Sequence, residues 1–504
     1  SAASDVYKRQ KYGYLLMLIT SIFVLAGCGK SAKSAEINGA SDLPGKRIGV
    51  QIGTTGEIYC SDEYEGDKKG TKIERYNKGA DAISSLKNGK IDCVIIDEQP
   101  AKAFVDKNKE LKILDEEFVE EDYAICVSKT QPQLTESLNT ALEELKADGT
   151  LDAIKTYYLK GEGTRYEAQK GLSHKNGNLI VATNAQFAPY EYHDNGEIIG
   201  IDMDMAQALA DKLDKKLKIL DIEFDSIITA VQGGKADIGI AGMTVTKDRL
   251  KNIDFTNSYT TSRQVIIVNT GEGKHGLSIQ ESFKQSFVDD NRYEYILKGL
   301  GNTILISLLA VCIGIFLGFI VAVIRATHDM TGNLKLLNLL CRIYLTIIRG
   351  TPTMVQLLII YFVIFASVDI SKIFVAVLAF GLNSGAYVAE IIRGGIMSLD
   401  YGQFEGARSL GLTHTQTMCY VILPQTFKNT LPALANEFIV LIKETSISGY
   451  IGLLDLTRGG DIIRGTTYQA FFPLIAVACI YLLLVVGLSA LVSKLERSLK
   501  KNER

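Results

Sequence analysis

The sequence has few of the residues from which catalytic and metal centres are built. Its 504 residues include no tryptophan, five histidines and eight cysteines. No two cysteines form a C-x-x-C pair and the histidines are scattered, so the sequence does not indicate a metal site. It also has no nucleophile elbow and no acid pair suited to proton transfer. We therefore expect no catalytic residue, no cofactor and no covalent chemistry on a bound molecule.

The chain also lacks a strong charge imbalance and a phosphate-binding loop. Its formal net charge is -3, which gives no electrostatic reason to expect a nucleic-acid partner. The pattern G-x-x-x-x-G-K-[ST] is absent, and the short GEGK that starts at Gly271 has neither its spacing nor its Ser or Thr. Any ATP hydrolysis on which the protein depends must then occur on another chain.

Long apolar runs are concentrated after Leu300, whereas residues 34–292 have the composition of a soluble protein. Helices are the expected structure of such runs, because backbone polar groups must be satisfied internally in lipid. Some of the runs are shorter than the roughly 20 residues that a spanning helix needs. We predict five spanning helices, at 300–324, 353–366, 373–392, 431–447 and 470–492.

Basic residues predict the orientation of these helices. They gather between the first and second segments, between the third and fourth, and after the fifth, where Lys494 and Arg497 begin a basic tail. Cytoplasmic loops carry such an excess of Lys and Arg. We therefore expect the C-terminus and the loop 405–425 in the cytoplasm, and the region before the first helix outside.

The N-terminal region resembles a lipoprotein export signal. Basic residues precede an apolar run at 14–25, which is followed by Ala26-Gly27-Cys28. Small residues before a cysteine are typical of a lipobox, and the resemblance implies that Cys28 is lipidated. A short buried helix and a plain membrane anchor remain alternatives.

The loop 405–425, EGARSLGLTHTQTMCYVILPQ, resembles the cytoplasmic "EAA" loop of permease subunits in ATP-binding-cassette (ABC) importers. The resemblance rests on Glu405, Ala407, Gly411 and Pro424, and it implies that these residues couple the permease to a separate ATPase. Gly411 would permit a sharp turn between two short helices, and Pro424 would stop or kink the helix before the fourth span. The family usually has Ala where this chain has Gly406. An ordinary polar loop is the alternative.

Three further segments resemble amino-acid permeases: IRGTP from Ile348, NSGAYVAEIIRGG from Asn383 and KETS from Lys443. Glu390 and Glu437 fall at membrane depth, where ionisable residues are costly and usually face a polar interior. Two interpretations stay open for this pair. They line the transport route, or they hold helices together.

Residues 178–268 resemble the first lobe of an exported amino-acid-binding protein. In that family an arginine clamps the ligand carboxylate through paired hydrogen bonds, and Arg249 in AGMTVTKDR matches it. Asn184 stands where many relatives carry Asp, which puts a preference for cationic ligands in doubt. The other ligand-binding residues that the resemblance implies are Gly242, Thr244, Phe187, Phe224 and Tyr190. A solvated arginine and ordinary core aromatics are the alternatives.

Residues 39–128 resemble the second lobe of the same fold. Thr54 and Thr55 would stand at a helix N-terminus, where backbone N–H groups attract a carboxylate. Asp97 follows CVII at the end of a predicted strand, and the resemblance implies that it holds the ligand ammonium. A helix N-cap is the alternative role of Asp97. Cys93 and Cys126 lie in apolar, strand-like runs, and core packing is the simplest interpretation.

The order of these parts differs from the family's and resembles a circular permutation. Lobe two comes first, followed by the helices that normally return to lobe one, then lobe one and the pore. We expect the two lobes to pair within one chain, because exposed sites of a domain tolerate the cut that a permutation requires. Pairing of lobes across a dimer, or two unpaired relics of the fold, are the alternatives. The predicted parts are a leader with signal (1–28), a linker (29–38), lobe two (39–128), return helices (129–160), a linker (161–177), lobe one (178–270), a linker (271–292) and the permease (293–498).

Together these resemblances imply a multi-domain fold. An α/β two-lobed clamp like the type II periplasmic binding proteins would precede an all-α permease domain with five transmembrane helices. The implied function is the substrate-binding and permease subunit of an ABC importer for a polar amino acid, in a bacterial plasma membrane. A separate ATPase and a second permease subunit, as a homodimer, are the implied partners. A ligand-gated channel or an amino-acid sensor with the same clamp is the alternative.

Overall fold

The computed structural model describes residues 37–271, 278–366, 368 and 370–501. The predicted leader 1–28, with Cys28, and nearly all of the linker 29–38 lie outside the described residues. The chain divides into two compact units. The first unit comprises Ser1–Val119 and Arg263–His275, and the second comprises Glu120–Ser262 and Gly276–Arg504.

The described residues form thirteen strands. They are β1 (Arg47–Gln51), β2 (Lys72–Tyr76), β3 (Cys93–Asp97), β4 (Leu111–Tyr123), β5 (Cys126–Val127), β6 (Asn178–Thr183), β7 (Gln186–Phe187), β8 (Glu191–Asp194), β9 (Glu197–Ile199), β10 (Lys216–Asp221), β11 (Ile238–Gly239), β12 (Asp254–Phe255) and β13 (Thr260–Asn269).

Eighteen α-helices occur in the same part of the chain. They are α1 (Thr55–Tyr64), α2 (Gly79–Lys87), α3 (Glu98–Lys107), α4 (Pro132–Ala147), α5 (Thr150–Lys160), α6 (Ile201–Lys212), α7 (Ile227–Gln232), α8 (Lys247–Asn252), α9 (Ile279–Phe283), α10 (Tyr293–Thr331), α11 (Lys335–Gly350), α12 (Thr353–Ile359), α13 (Lys372–Met397), α14 (Tyr401–Ser409), α15 (His414–Thr417), α16 (Leu423–Glu444), α17 (Leu456–Thr467) and α18 (Phe471–Lys501).

The first unit is built on a five-stranded sheet in the order β2-β1-β3-β13-β4. β1 runs parallel to both β2 and β3, whereas β13 is antiparallel to β3. β3 is buried at every residue, as expected for a central strand of a sheet with helices on its faces. Cys93 and Cys60 lie in the apolar core with Ile48 and Ile95, which confirms core packing for Cys93.

The second unit contains an α/β lobe and a helical domain. We call residues 120–262 the α/β lobe and residues 278–501 the helical domain. The lobe's main sheet has the order β10-β6-β11-β5-β12, and β7-β8-β9 form a small antiparallel sheet. α4 and α5 pack with α6 in one buried cluster that includes Leu142, Ile154 and Leu209. The return of the helices at 129–160 to lobe one is therefore confirmed.

The two predicted lobes are interwoven within one chain. β13 follows the 178–268 segment in sequence but lies beside β3 of the first sheet, with Gln264 opposite Asp97. β5, from the 39–128 segment, pairs with β11 and β12 of the second sheet. Each sheet thus draws strands from both segments, and pairing of the two lobes around a ligand within one chain stays a prediction.

The predicted linker 161–177 is bonded along the α/β lobe through three acidic residues of α6 and the turn after it. Arg165 Nε lies 3.1 Å from Asp204 Oδ1. Asp211 Oδ2 accepts hydrogen bonds from Tyr166 Oη at 2.9 Å and from the Gln169 backbone N–H at 2.8 Å. The next acid, Asp214, accepts from Ser173 and His174. Asp204 and Asp211 are buried.

Three helices of the described chain are long and apolar enough to span a membrane, and a fourth candidate is a bent pair. The three are Tyr293–Thr331, Lys372–Met397 and Phe471–Ser498; the pair Lys335–Gly350 and Thr353–Ile364 bends by 108°. The predicted segment 431–447 lies in α16, a 22-residue helix, but Glu437 and Lys443 lower its apolar character. Five spans therefore remain a prediction that depends on α16.

α10 and α13 pack closely because glycines line their contact. A Cβ on Gly314 would lie 2.8 Å from Ser384 Oγ, and a Cβ on Gly318 would lie 2.6 Å from Val388 Cγ1. Small residues let helix backbones approach in this way in membrane bundles. This pair forms the centre of the helical domain.

Candidate functional site

Arg249 lies where α8 begins, and its side chain is 8% exposed. Thr246 caps the helix by accepting the Arg249 backbone N–H at 3.2 Å. The guanidinium donates from Nη1 to the Thr244 carbonyl oxygen at 2.7 Å, and its carbon lies 5.5 Å from the centre of the Phe224 ring. A buried, oriented guanidinium of this kind can form a two-point contact with a carboxylate.

Several aromatic rings pack together in the same lobe as Arg249. Phe187 stacks on Tyr190 with 5.9 Å between ring centres, and Tyr190 meets the buried Tyr123 edge to face at 5.3 Å. Gly242 has φ +52°, and a Cβ there would come within 2.9 Å of the Phe187 ring. Gly242 is needed here for two reasons, because it adopts a left-handed backbone conformation and leaves room for Phe187.

Two predicted ligand groups are engaged inside the lobe. The Gly242 backbone N–H donates to Asp202 Oδ2 at 2.8 Å, and Asn184 Nδ2 donates to the Ile222 carbonyl oxygen at 2.8 Å. Asp202 is fully buried and also accepts from Tyr259 Oη at 3.0 Å. Burial raises the pKa of Asp202 to about 6, and the bond from Gly242 opposes that rise.

The first unit holds the other three predicted ligand residues. Thr54 caps α1, and its hydroxyl donates to the Gln51 carbonyl oxygen at 2.7 Å. The Thr55 hydroxyl, 3.3 Å away, accepts from Gln264 Nε2. Asp97 occupies the N-cap position of α3 without making a side-chain capping bond, and it is 4% exposed. The alternative of a helix N-cap is thus met in position but without a side-chain capping hydrogen bond, and the ligand role of Asp97 stays a prediction.

The sequence reasoning missed two acids beside the predicted ligand residues, one at Gly242 and one at residues 184–190, which we call the ligand loop. The buried Asp202 links Gly242 to Tyr259. The Asp221 carboxylate accepts the Ala185 backbone N–H at 3.0 Å, beside Asn184. Asp202 carries a readable signal, since it stands in the otherwise apolar run IIGIDM at a helix start. Asp221 ends an ordinary strand and carries no such signal.

The loop 405–425 forms two short helices joined by a glycine turn. Gly411 has φ +88°, and the backbone N–H groups of Gly411 and Leu412 bond back to Arg408 and Ala407. This pattern is a Schellman ending, which requires a left-handed residue. The predicted turn at Gly411 is confirmed. Ala407 is buried, whereas Glu405 is exposed.

Pro424 does not stop the helix, and the other half of the prediction, a kink at Pro424, stays a prediction. The chain stays helical from α15 through a π-helical turn at Met418–Ile422 into α16, and Pro424 lies in the first turn of α16. A wider π turn accommodates the hydrogen bond that a proline removes from a continuing helix. This turn ahead of Pro424 explains why the helix continues.

Glu390 and Glu437 have different surroundings. Glu390 on α13 is 2.6 Å from Arg325 Nη1 of α10 and 3.1 Å from Arg393 Nη2 of its own helix. Glu437 on α16 accepts from Ser384 Oγ at 3.2 Å. The ion pairs support the helix-holding interpretation for Glu390, whereas the contact given above for Glu437 is a hydrogen bond from an uncharged hydroxyl.

The α/β lobe is packed against the helical domain through a buried arginine. Arg458 of α17 is 3% exposed, and its two terminal nitrogens lie 2.7 Å from Asp221 and 2.9 Å from Glu223. Burial would raise the pKa of Asp221, but the charge of Arg458 and the hydrogen bond from His193 outweigh it and hold that pKa well below its usual value. Asp221 therefore joins the ligand loop to α17.

Two lysines make further contacts between the same two parts. Lys235 of the lobe donates to the carbonyl oxygens of Phe365 and Val368, at 3.2 and 2.9 Å. Lys372 at the start of α13 donates to the Gly452 carbonyl oxygen at 2.9 Å. A cation suits the carbonyl end of a helical turn.

The lobe and the loop 405–425 contact opposite ends of the helices. The lobe meets the start of α10, where Tyr295 Oη accepts the Gly196 backbone N–H at 3.0 Å, and the start of α13. The loop 405–425 packs instead against the final turns of α10 and α13, in a cluster that contains Ala326, Ile396 and Met418.

Comparison with known proteins accounts for both parts. Residues 179–457 match the family model of bacterial extracellular solute-binding proteins, family 3. The chain belongs to this family. The match covers more than half of the sequence, from the start of β6 in the α/β lobe to the start of α17.

Permease subunits are also among its relatives. A putative glutamine transport system permease of Rickettsia typhi is 39% identical over 210 residues, which are 41% of this chain and 94% of that protein. An arginine transport permease of Bacillus subtilis is 37% identical over 42% of this chain and 94% of its own length. The glutamine permease of Escherichia coli K12 is 36% identical over 41% and 93%.

A solved structure, of an amino acid ABC transporter with histidines, has 44% identity over 42% of this chain and 98% of its own, with a TM-score of 0.39. The family match and the permease relatives together establish the class of the protein. This solute-binding family member also carries the permease part of an ABC importer in the same chain.

Proposed function

We propose that this protein is the substrate-binding and permease subunit of an ABC importer for a polar amino acid. The relatives named above are glutamine and arginine permeases, and the clamp residues suit a zwitterion. Arg249 would bind the carboxylate, Asp97 the ammonium, and Phe187 and Phe224 the side-chain faces.

One observation carries the proposal. A single chain has a solute-binding lobe at one end of a helix bundle and an EAA-type loop at the other. An importer needs both a clamp that delivers the ligand and a loop that transmits the movement of an ATPase to the pore. A ligand-gated channel needs only the clamp.

The remaining partners follow from this arrangement. The chain has no phosphate loop, so the motor is a separate ATPase that engages Glu405, Ala407 and the Gly411 turn. A second permease subunit, in a homodimer, completes the pore. The α/β lobe faces outside, the C-terminus faces the cytoplasm, and lipidated Cys28 anchors the N-terminal end.

Within the bundle, Glu390 holds α10 to α13 through its arginine pairs. Glu437 lines the route instead, because the hydrogen bond from Ser384 leaves its carboxylate open to interaction with a passing polar solute. Glu437 lies on α16, and this helix continues directly from the coupling loop 405–425. The transport route and the loop would then share one helix.

The test is uptake into proteoliposomes that contain the chain and its cognate ATPase, with ATP sealed inside. A thermal-shift screen of the full chain against all amino acids first identifies the ligand, because specific binding raises the melting temperature by linkage. We expect labelled ligand to accumulate against its gradient only with hydrolysable ATP.

The control is the same vesicle with a nonhydrolysable nucleotide, which should show binding without accumulation. Flux that persists without nucleotide and only runs downhill would replace the importer with the channel. Binding with neither flux nor ATP hydrolysis would favour the sensor.

A further inference from the structure

We propose that the α/β lobe stays seated on the helical domain throughout transport, so that this half of the clamp never undocks. The inference rests on the proposed importer function, in which a binding protein that is a separate chain would have to arrive and leave. Three features of the contact carry it: a shared apolar core, a set of charges that fix its register, and backbone approaches that leave no room for a loose fit.

The apolar core runs without a break from the lobe into the helical domain. One buried cluster includes Ile227 and Val231 of α7 in the lobe together with Leu357, Tyr361 and Phe380 of the helical domain. All five side chains are nearly or completely inaccessible. Obligate interfaces have this character of a divided domain core, whereas transient ones are more polar.

The ion pairs serve a different purpose from the core. Separation would return Arg458, Asp221 and Glu223 to water, so their attraction alone is a weak barrier to undocking. They fix which way the lobe sits, because a misplaced Arg458 would be buried without its two carboxylates. Apolar burial, at roughly 25 cal/mol per Å², supplies the persistence.

Backbone contacts show how tightly the two surfaces fit. A Cβ on Gly452 would collide with the Asp221 carbonyl oxygen, whereas a Cβ on Gly233 would be in ordinary van der Waals contact, 3.4 Å from the Phe362 carbonyl oxygen. The Gly233 position is also 3.6 Å from the Cβ of Ala366. Close fits of this kind belong to surfaces that do not exchange partners readily.

The consequence concerns the moving part of the clamp. If the α/β lobe is stationary, ligand-driven closure has to be a movement of the first unit. The Asp221 carboxylate, which holds both the Ala185 N–H and Arg458, would then keep the ligand loop fixed to α17 at every stage of transport.

A disulfide across the contact tests this directly. The 3.6 Å separation suits a disulfide, whose Cβ atoms are about 3.8 Å apart. Gly233→Cys and Ala366→Cys are introduced together after Cys312, Cys419 and Cys479, the exposed cysteines among the described residues, are changed to Ala. Mild oxidation of membranes should form the bond, seen as the loss of two reactive thiols. ATP-driven uptake should then change less than twofold.

Uptake that falls more than fivefold on oxidation and returns with dithiothreitol would overturn the proposal. Failure of the bond to form in a variant that transports when reduced would also overturn it. The single-cysteine variants show whether either substitution is harmful by itself. Absence of uptake by the unmodified chain would refute the importer function instead, so the two failures are distinguishable.

A second measurement does not depend on the pair. The Gly233→Cys thiol is exposed to a membrane-impermeant maleimide with and without ligand and ATP. A seated lobe keeps the labelling rate the same during turnover. A rise of tenfold or more during turnover, in a variant that transports, would mean that the lobe leaves the helical domain.

Discussion

The two ends of the helix bundle differ in how far residues of the same chain bury their side chains. At the end that meets the α/β lobe, Arg458 and Tyr361 are buried by residues of the same chain. At the other end, Leu410, Tyr420 and Tyr401 are 85%, 72% and 60% exposed. Apolar side chains this exposed, on the loop 405–425 and at the start of α14, are typical of a surface that another protein covers.

The difference shows which interaction the chain contains and which it leaves to a partner. On the ligand side the contact is formed within the chain. Carboxylates of the lobe pair with Arg458 of the helical domain, and a carbonyl oxygen of the helical domain accepts from Lys235 of the lobe. The loop side is internally well ordered by the Schellman turn and by a capping box between Thr413 and Gln416, yet Leu410 and Tyr420 of this loop stay exposed. An ordered loop with exposed apolar side chains is suited to binding another protein.

The largest expected effect is at the ligand side. In Arg249→Ala we expect affinity for the amino acid to fall about 100-fold or more, because loss of a buried charge contact costs roughly 3 kcal/mol. Calorimetry on the purified chain measures it. Lys247→Ala, on the exposed side of the same helix, is the control. Unchanged affinity in Arg249→Ala would remove the clamp assignment.

Reversal of the buried charge should be the next largest effect. Arg458→Glu places a third acid beside Asp221 and Glu223, and like charges at such a contact cost several kcal/mol. We expect uptake to fall at least tenfold and the melting temperature to drop. Lys298→Glu, at an exposed ion pair on α10, should change neither. Equal effects of the two reversals would mean that the lobe contact has no special role.

A smaller effect is expected at the uncovered end. Leu410→Asp should lower uptake and ligand-stimulated ATP hydrolysis roughly tenfold, since burial of a leucine is worth about 2 kcal/mol. Ligand affinity and melting temperature should not change, because Leu410 contributes nothing to the fold of the free chain. Leu159→Asp, an exposed leucine of α5, is the control. Normal uptake in Leu410→Asp would show that this surface meets no motor.

The smallest expected change is in stability. The pKa of Asp202 is raised to about 6 by burial, so the folded lobe binds a proton that the unfolded chain releases near pH 4. The resulting contribution to the free energy of unfolding is present in full below about pH 4 and is lost as the pH rises to about 6. It amounts to no more than about 3 kcal/mol. In Asp202→Asn the melting temperature should lose this slope. An unaltered slope would assign it to other groups.

The loop could be predicted from sequence because its signals are local. Gly411 stands between two short polar helices, and a left-handed ending there needs glycine. The same local logic predicts that Pro424 stops or kinks the helix, and the helix does not stop there, because it continues from the π turn at Met418–Ile422. Composition also marked the apolar helices, but the 108° bend in the second candidate span has no simple sequence signature.

The contact between lobe and helical domain could not be predicted. Arg458 and Asp221 are 237 residues apart, and neither lies in a motif. With one sequence, nothing distinguishes Arg458 from a solvated helix-start arginine. The ligand residues were proposed from family resemblance, and the structure added what resemblance does not provide: Asp202 holds Gly242, and Asp221 holds the loop at Ala185.

The segment 161–177 joins what would be the two ends of an unpermuted domain, and its bonding has a consequence for how such chains can be recombined. Arg165, Tyr166 and Ser173 each engage an acid of α6 or the turn after it. The segment is thus held to the lobe by side-chain contacts along its length. Replacement of residues 161–177 by a glycine-serine linker would keep the order of the parts but remove the side-chain contacts that hold this segment to the lobe.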